Sequence, residues 1–129
     1  MTKTWQTVVV FAAVLGVSGV VAAQGPQLSR VMREKLQHTQ KILETVVTSD
    51  WSGLESHTRD LERLTNDPRW MVLKSQEYAK HSAEFVGALH DLRRVAGERD
   101  SKRATEAYTA LIIRCVDCHQ YVARARIAR

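Results

Sequence analysis

The sequence predicts an all-α protein, a four-helix bundle in a single domain, from three observations. Apolar residues recur at the three- and four-residue spacing of a helix in four successive segments. Clusters of Asp, Ser, Gly, Asn and Pro separate these segments, and no stretch alternates apolar and polar residues as a strand does. Short connections between such helices favour an antiparallel arrangement. The length of 129 residues is enough for one such domain with a real core.

The N-terminal segment, residues 1–23, is predicted to be a secretory signal peptide. It contains one basic residue, Lys3, followed by an uncharged apolar run from Val8 to Ala23 that ends in small residues. This run is shorter than the roughly 20 residues that a membrane-spanning helix prefers. We therefore expect an exported, periplasmic domain over residues 24–129. The alternative is an uncleaved segment that anchors the same domain to a membrane.

The first two helices are predicted on either side of a turn at residues 49–53. The first helix runs from Gln27 to about Thr48, and the second ends near Asn66. Asp50 or Ser52 is the expected N-cap of the second helix. The helical spacing predicts two inner faces, which consist of Met32, Leu36, Leu43, Val46 and Val47 in the first helix, and of Leu54, His57, Leu61 and Leu64 in the second.

A third helix is predicted from about Ser75 to Glu98, after an ambiguous stretch at residues 69–74. In that stretch Trp70 and its apolar neighbours form either a loop plugged into the core or an early helical turn. The fourth helix begins near Ser101. The predicted inner faces are Tyr78, Ser82, Phe85, Leu89, Leu92 and Ala96 in the third helix, and Ala104, Tyr108, Leu111, Ile112, Cys115, Cys118, His119 and Val122 in the fourth.

The only two cysteines of the chain lie in the fourth helix, within the motif Cys115-Val116-Asp117-Cys118-His119. This spacing is typical of c-type haem attachment, in which each thiol adds to a haem vinyl group and the adjacent imidazole binds the iron. An exported pair of cysteines could instead form a disulfide. A redox-active dithiol normally begins a helix after a strand, and zinc would need about four clustered ligands. Covalent haem c is the interpretation that uses both cysteines, the histidine and export.

An exported helical chain with this motif on its last helix resembles the cytochrome c prime family, the class II c-type cytochromes. The resemblance covers roughly Gln27 to Arg124. It implies thioethers at Cys115 and Cys118, proximal iron ligation by His119, and a distal position at Met32. Low-spin relatives place a methionine there as the sixth ligand. The family often has an arginine one turn before the distal residue, where this chain has Leu28, so the register stays open by one turn.

Other side chains compete for a place near the iron. The rival sixth ligands are His38, His57, His81 and His90, and His57 is the one expected on an inner face. Lys35 lies near Met32 on the helical wheel and could reach a haem propionate, although a surface position is the simpler expectation. No acid–base pair or nucleophile arrangement is evident in the sequence, so we do not expect an enzyme.

The resemblance and the motif together predict an electron-transfer protein with one haem. The alternative is a five-coordinate haem protein that binds NO or CO, with Leu36 and its apolar neighbours lining the distal side. The formal net charge of +5 falls to +4 without residues 1–23, whose only charged residue is Lys3. This charge suggests redox partners with an acidic docking surface and, because acidic residues are interleaved, no nucleic acid. Family members are often homodimers, so a second copy is also an expected partner.

Overall fold

The computed structural model describes residues 24–71 and 73–127, with side chains for residues 27–71 and 73–125. Within these ranges the chain is all-helical, with no strand. The helices are α1 (Gln24–Thr48), α2 (Trp51–Thr65), α3 (Gln76–Glu98) and α4 (Ser101–Ile127). The prediction of a helical bundle is confirmed. The predicted signal peptide, residues 1–23, lies outside the described residues.

The helix boundaries follow local capping chemistry. The Asp50 carboxylate is the N-cap of α2 and accepts a hydrogen bond from the Gly53 backbone N–H at 3.0 Å. The Ser75 hydroxyl caps α3 in the same way and accepts the Tyr78 N–H at 3.1 Å. Ser49 and Arg99 follow the ends of α1 and α3 with φ angles of 56° and 54°, in the left-handed region that ends a helix.

The connection between α2 and α3 is plugged into the core by Trp70, as one of the two sequence-based alternatives proposed. The Trp70 side chain is buried, and its indole N–H donates to the Ser82 hydroxyl at 3.2 Å. The Trp70 carbonyl accepts a hydrogen bond from the Tyr78 hydroxyl. The long connection between α2 and α3 is therefore held against α3 by the Trp70 side chain and by two hydrogen bonds.

The core is formed mainly by the predicted inner faces of α2, α3 and α4. Leu54 and Leu61 of α2 are fully buried, and His57 and Leu64 are half-buried. The predicted face of α3 is buried except for half-buried Ser82. The buried apolar cluster consists of Val31, Ile42, Val46, Leu54, Leu61, Trp70, Phe85, Leu89, Leu92, Val95, Ala96, Ala104 and Leu111.

The predicted inner face of α1 is wrong at three positions. Leu36, Leu43 and Val47 are 56%, 45% and 74% exposed, whereas Val46 is buried as expected. The inner positions are taken by Val31, Lys35, Thr39, Ile42, Thr45 and Val46.

Helix α1 can bury threonines because their hydroxyl groups are satisfied within the helix. The Thr39 hydroxyl donates to the Lys35 carbonyl, and the Thr45 hydroxyl donates to the Ile42 carbonyl, both at 2.8 Å. Burying a hydroxyl group that has a hydrogen-bond partner costs little free energy, so the face of α1 that carries these threonines can lie against the core. The apolar residues that periodicity favoured then face outward.

Each of the helix pairs α1–α2, α2–α3, α3–α4 and α1–α4 is in contact. Ser49 and Ser101 hydroxyls lie 3.1 Å apart, where α1 ends and α4 begins. Further from this corner, the Tyr108 hydroxyl of α4 donates to the Thr39 carbonyl of α1 at 3.4 Å. We call the region around residues 46–54 and 92–104 the corner end, and the region around residues 31–38, 66–82 and 115–121 the motif end.

Candidate cofactor-attachment site

The two cysteines lie one turn apart in the middle of α4, far from either end of that helix. Both thiols are free and half-buried, and Cys115 packs against the apolar core. Their predicted inward orientation is therefore confirmed in part. His119 is exposed, which corrects the prediction that all three residues share the buried face. Among the described residues of α4, none after Leu111 is fully buried, so the neighbouring helices cover this part of α4 only partly.

The surroundings of the thiols disfavour a redox-active dithiol. Burial raises the pKa of both Cys115 and Cys118, and the nearby Lys35 ammonium only partly opposes this effect. A redox-active pair needs the opposite shift, which a helix N-terminus or a close cation normally supplies. Cys115 is the fifteenth residue of a helix that begins at Ser101, so it receives no help from the helix N-terminus.

Lys35 is buried next to the motif, in contrast to the simpler expectation of a surface lysine. Its side chain is 6% exposed, and its Nζ lies 3.9 Å from the ring centroid of Phe85 and 4.6 Å from that of Trp70. Burial lowers the pKa of Lys35, while interactions with Cys115 and Cys118 raise it. The ammonium is stabilised by aromatic faces.

The Lys35 ammonium also affects His119. Partial burial lowers the pKa of His119, and the positive charge of Lys35 lowers it further. A lowered pKa favours the neutral imidazole, which is the form that can bind a metal ion. Lys35 thus interacts with both cysteines and with the histidine of the motif, so this part of α1 lies opposite the motif.

Met32 lies one turn before Lys35 on α1. Its side chain is half-buried and packs against the same apolar cluster as Cys115. The structure therefore brings the candidate distal residue and one cysteine to a common core. Lys35 was missed as an inner residue because its aromatic partners come from other parts of the chain. The spacing of Val31, Lys35, Thr39 and Ile42 was the available signal.

The four rival histidines occupy different environments. His90 is exposed, and its Nε2 lies 2.7 Å from a Glu62 carboxylate oxygen. His81 is half-buried against Tyr121, with ring centroids 5.3 Å apart. His38 and His57 face each other across α1 and α2, with ring centroids 5.8 Å apart.

The motif segment of α4 is attached to α3 and to the preceding connection. The Tyr121 hydroxyl lies 2.8 Å from the Ser75 hydroxyl, at the start of α3. The Arg114 guanidinium lies 3.3 Å from the Asp117 carboxylate and 3.6 Å from that of Glu84. The contacts to Ser75 and Glu84 connect this part of α4 to α3 and to the residue that caps it.

The donor atoms of the motif do not converge as in a zinc site. Among the described residues, one group of three His, Cys, Asp or Glu side chains has its ligand atoms within 4.8 Å of one another, and it is His38, His57 and Asp60. The motif instead offers two separated, half-buried thiols on one side of a helix and an accessible imidazole after them. This donor set fits a covalently attached haem c, whose two thioethers need separate attachment points.

Comparisons with protein-family models, with curated proteins and with solved structures found no match to this chain. Over residues 24–71 and 73–127, none of the helices has the combination of length and apolar character needed to cross a membrane.

Proposed function

We propose that this chain is a c-type cytochrome that carries one covalent haem and transfers electrons. The observation that carries the proposal is the orientation of Cys115 and Cys118, one turn apart and half-buried beside the core of the bundle. Thioethers at these two sulfurs would hold the haem, and His119 would be the proximal iron ligand. The bound haem would supply one-electron exchange, while the chain would set its ligands and its access to water.

We also propose that the bundle is antiparallel and that the chain is a member of the cytochrome c prime family. The order of contacts between α1 and α4 supports this arrangement, because Ser49 contacts Ser101, whereas the earlier Thr39 contacts the later Tyr108. Connections of two residues join α1 to α2 and α3 to α4, and such short connections favour antiparallel neighbours.

The distal ligand in this proposal is Met32. Its packing against the core that also contacts Cys115 supports this role, and a thioether is a suitable axial ligand that raises the reduction potential. The nearby Lys35 ammonium would act in the same direction, because a buried positive charge favours the reduced, less positive iron. Two fixed axial ligands would also keep the structural change between oxidation states small.

The alternative, a five-coordinate protein that binds NO or CO, requires an apolar distal lining. Leu36 was the residue expected to provide it, and its side chain is 56% exposed. This exposure favours electron transfer over gas binding. We do not propose an enzymatic activity.

We propose that the protein acts after export to the periplasm and exchanges electrons with partners that present an acidic docking surface. The net positive charge of the chain supports such partners through long-range attraction. A homodimer is the second proposed association. Its support is the exposed apolar row on α1, which consists of Leu36, Leu43 and Val47.

The absorption spectrum of the oxidised protein tests the proposed iron coordination. We expect a low-spin spectrum with a methionine-to-iron charge-transfer band, and conversion to a high-spin spectrum in Met32→Ala. Met71→Ala is the matched control, because Met71 is 49% exposed and lies in the connection between α2 and α3. This control should leave the spectrum unchanged.

The opposite result would be a high-spin wild-type protein whose spectrum shifts readily with carbon monoxide, which would favour gas binding. A low-spin spectrum that survives in Met32→Ala would reject Met32 as the ligand. If Lys35→Ala then gave the high-spin form, the distal ligand would be Lys35, one turn after Met32.

A further inference from the structure

A second group of potential ligands lies between α1 and α2, outside the motif. It consists of His38 from α1 and of His57 and Asp60 from α2. One ligand atom from each side chain lies within 4.8 Å of the other two. The His57 and Asp60 side chains share one face of α2, because residues three apart on a helix are neighbours. Two adjacent helices therefore bring three metal-binding side chains to one point.

We propose that His38, His57 and Asp60 bind a divalent transition-metal ion of the zinc class. Two imidazoles and one carboxylate form a mixed nitrogen and oxygen ligand set, which suits Zn²⁺, Cu²⁺ or Ni²⁺ better than Mg²⁺ or Ca²⁺. Three protein ligands leave a position for water, and all three side chains are half-buried, so solvent can reach the ion.

The His57 imidazole provides an independent observation in favour of a ligand. Its Nδ1 atom is buried and has no hydrogen-bond partner among the described residues. Buried polar atoms in folded proteins are nearly always paired, so an unpaired ring nitrogen needs a physical explanation. A metal ion bound to this nitrogen would give it the partner that it lacks. The His38 ring lies next to the same ring, with the two centroids 5.8 Å apart and the ring planes at 51°.

The charges around the cluster are compatible with a cation. The carboxylates of Glu44 in α1 and of Asp50, the N-cap of α2, lie within electrostatic range of His57. Asp60 forms an ion pair with Arg63, whose side chain is 74% exposed and therefore free to move into solvent. A carboxylate has two oxygen atoms, so Asp60 can bind an ion through one of them.

This site would join α1 to α2 independently of the motif on α4. It does not depend on haem attachment, because none of its ligands belongs to the proposed haem site. A bound ion stabilises the state that binds it in proportion to its concentration and affinity. We therefore expect Zn²⁺ to raise the thermal unfolding temperature of the protein.

Isothermal titration of the untagged, haem-loaded protein with Zn²⁺ tests the proposal. We expect one Zn²⁺ per chain in the wild type. His38→Ala and Asp60→Asn should each weaken binding on the order of 10-fold or more, since even indirect damage to a metal site has effects of that size. His90→Ala is the matched control, because His90 is an exposed histidine paired with a carboxylate elsewhere, and this variant should bind Zn²⁺ like the wild type.

Thermal unfolding without Zn²⁺ checks that each variant is folded. If His38→Ala proves unstable, Asp60→Asn still tests the site, because asparagine has nearly the same volume as aspartate. Equal Zn²⁺ affinity in the wild type and both ligand variants would overturn the proposal. An equal loss in His90→Ala would do so too, because it would indicate unspecific binding by surface histidines. If the haem-free protein bound Zn²⁺ and the Cys115→Ser/Cys118→Ser variant did not, the motif rather than the cluster would be the zinc site.

Discussion

The two ends of the bundle differ in how their interiors are filled. At the corner end, Leu54, Leu92 and Ala104 are fully buried, and no charged side chain joins them in the buried core. Two-residue connections join the helices there, the Asp50 side chain caps α2, and the Ser49 hydroxyl lies 3.1 Å from that of Ser101 at the start of α4. Apolar contacts and satisfied caps are the main sources of stability in a small helical domain.

At the motif end, the interior contains chemically reactive and polar groups. Lys35 is buried against aromatic rings, and Met32, Cys115 and Cys118 are half-buried. The connection from α2 to α3 is also wider here and depends on the plug formed by Trp70. The comparison suggests that the corner end contributes most of the folding stability, and that the motif end is less stable because its interior holds the groups of a cofactor site.

The largest expected effect is that of Leu92→Ala at the corner end. Removing a fully buried leucine should lower the free energy of unfolding by about 2–5 kcal/mol, because it loses apolar burial and leaves a cavity. The spectrum of the attached haem should not change. Chemical denaturation measures the first quantity and absorption spectroscopy the second.

Leu36→Ala on α1 is the matched control for this prediction. Its side chain is 56% exposed, so the free energy of unfolding should change by less than about 0.5 kcal/mol. A cost for Leu36→Ala similar to that of Leu92→Ala would mean that Leu36 is buried, as the apolar periodicity of α1 had suggested.

Gly53→Ala should have an intermediate effect, because Gly53 is in close contact with the cap of α2. A Cβ atom there would collide with the Asp50 carboxylate and lie 2.9 Å from Thr45 Cγ2. We expect a loss of about 1–2 kcal/mol in the free energy of unfolding, comparable to the loss of an N-cap.

Gly87→Ala provides the opposite case within α3. A Cβ atom at Gly87 meets nothing within 4 Å, so alanine should stabilise the helix by about 0.5–1 kcal/mol. Denaturant titration of the two variants side by side measures both changes. If Gly53→Ala were as favourable as Gly87→Ala, the close packing around Gly53 at the corner end would be refuted.

Lys35→Met at the motif end should also stabilise the protein, by an amount similar to that of Gly87→Ala. In the haem-free chain at pH 7, this variant should be more stable by about 1 kcal/mol, because it removes a buried ammonium that contacts the rings of Phe85 and Trp70 and forms no ion pair with a carboxylate among the described residues. An exposed lysine, Lys74→Met, is the control and should have little effect on stability.

The advantage of Lys35→Met should depend on pH. Burial lowers the pKa of Lys35 in the folded state, so the unfolded chain holds more protons between that lowered value and the ordinary value of 10.5. The stability of the wild type should therefore rise with pH over this window, relative to the variant, and the difference should disappear above it. A pH-independent difference would contradict a buried, titrating Lys35.

The sequence was most informative where one face of a helix was consistently apolar. Helix α3 has such a face, and five of its six buried residues were predicted, the exception being Val95. Helix α1 offered two competing faces. The less apolar one is buried because Thr39 and Thr45 satisfy their hydroxyl groups within the helix and because Lys35 meets aromatic rings. Local periodicity contains no information about those tertiary partners.

The same limit applies to the candidate sites. Cys115, Cys118 and His119 were evident from their spacing alone, since the motif is local. The burial of Lys35 and the cluster of His38, His57 and Asp60 depend on how α1 is rotated against its neighbours. Such an arrangement becomes apparent only when the helices are packed together.

The most direct test of the proposed cytochrome is the intact mass of the denatured protein, produced in cells that can attach haem c. We predict a mass equal to that of the processed chain plus one haem, which persists in denaturant and is absent from the Cys115→Ala/Cys118→Ala variant. A wild-type chain that loses its haem on denaturation, or that never carries one, would contradict the central proposal.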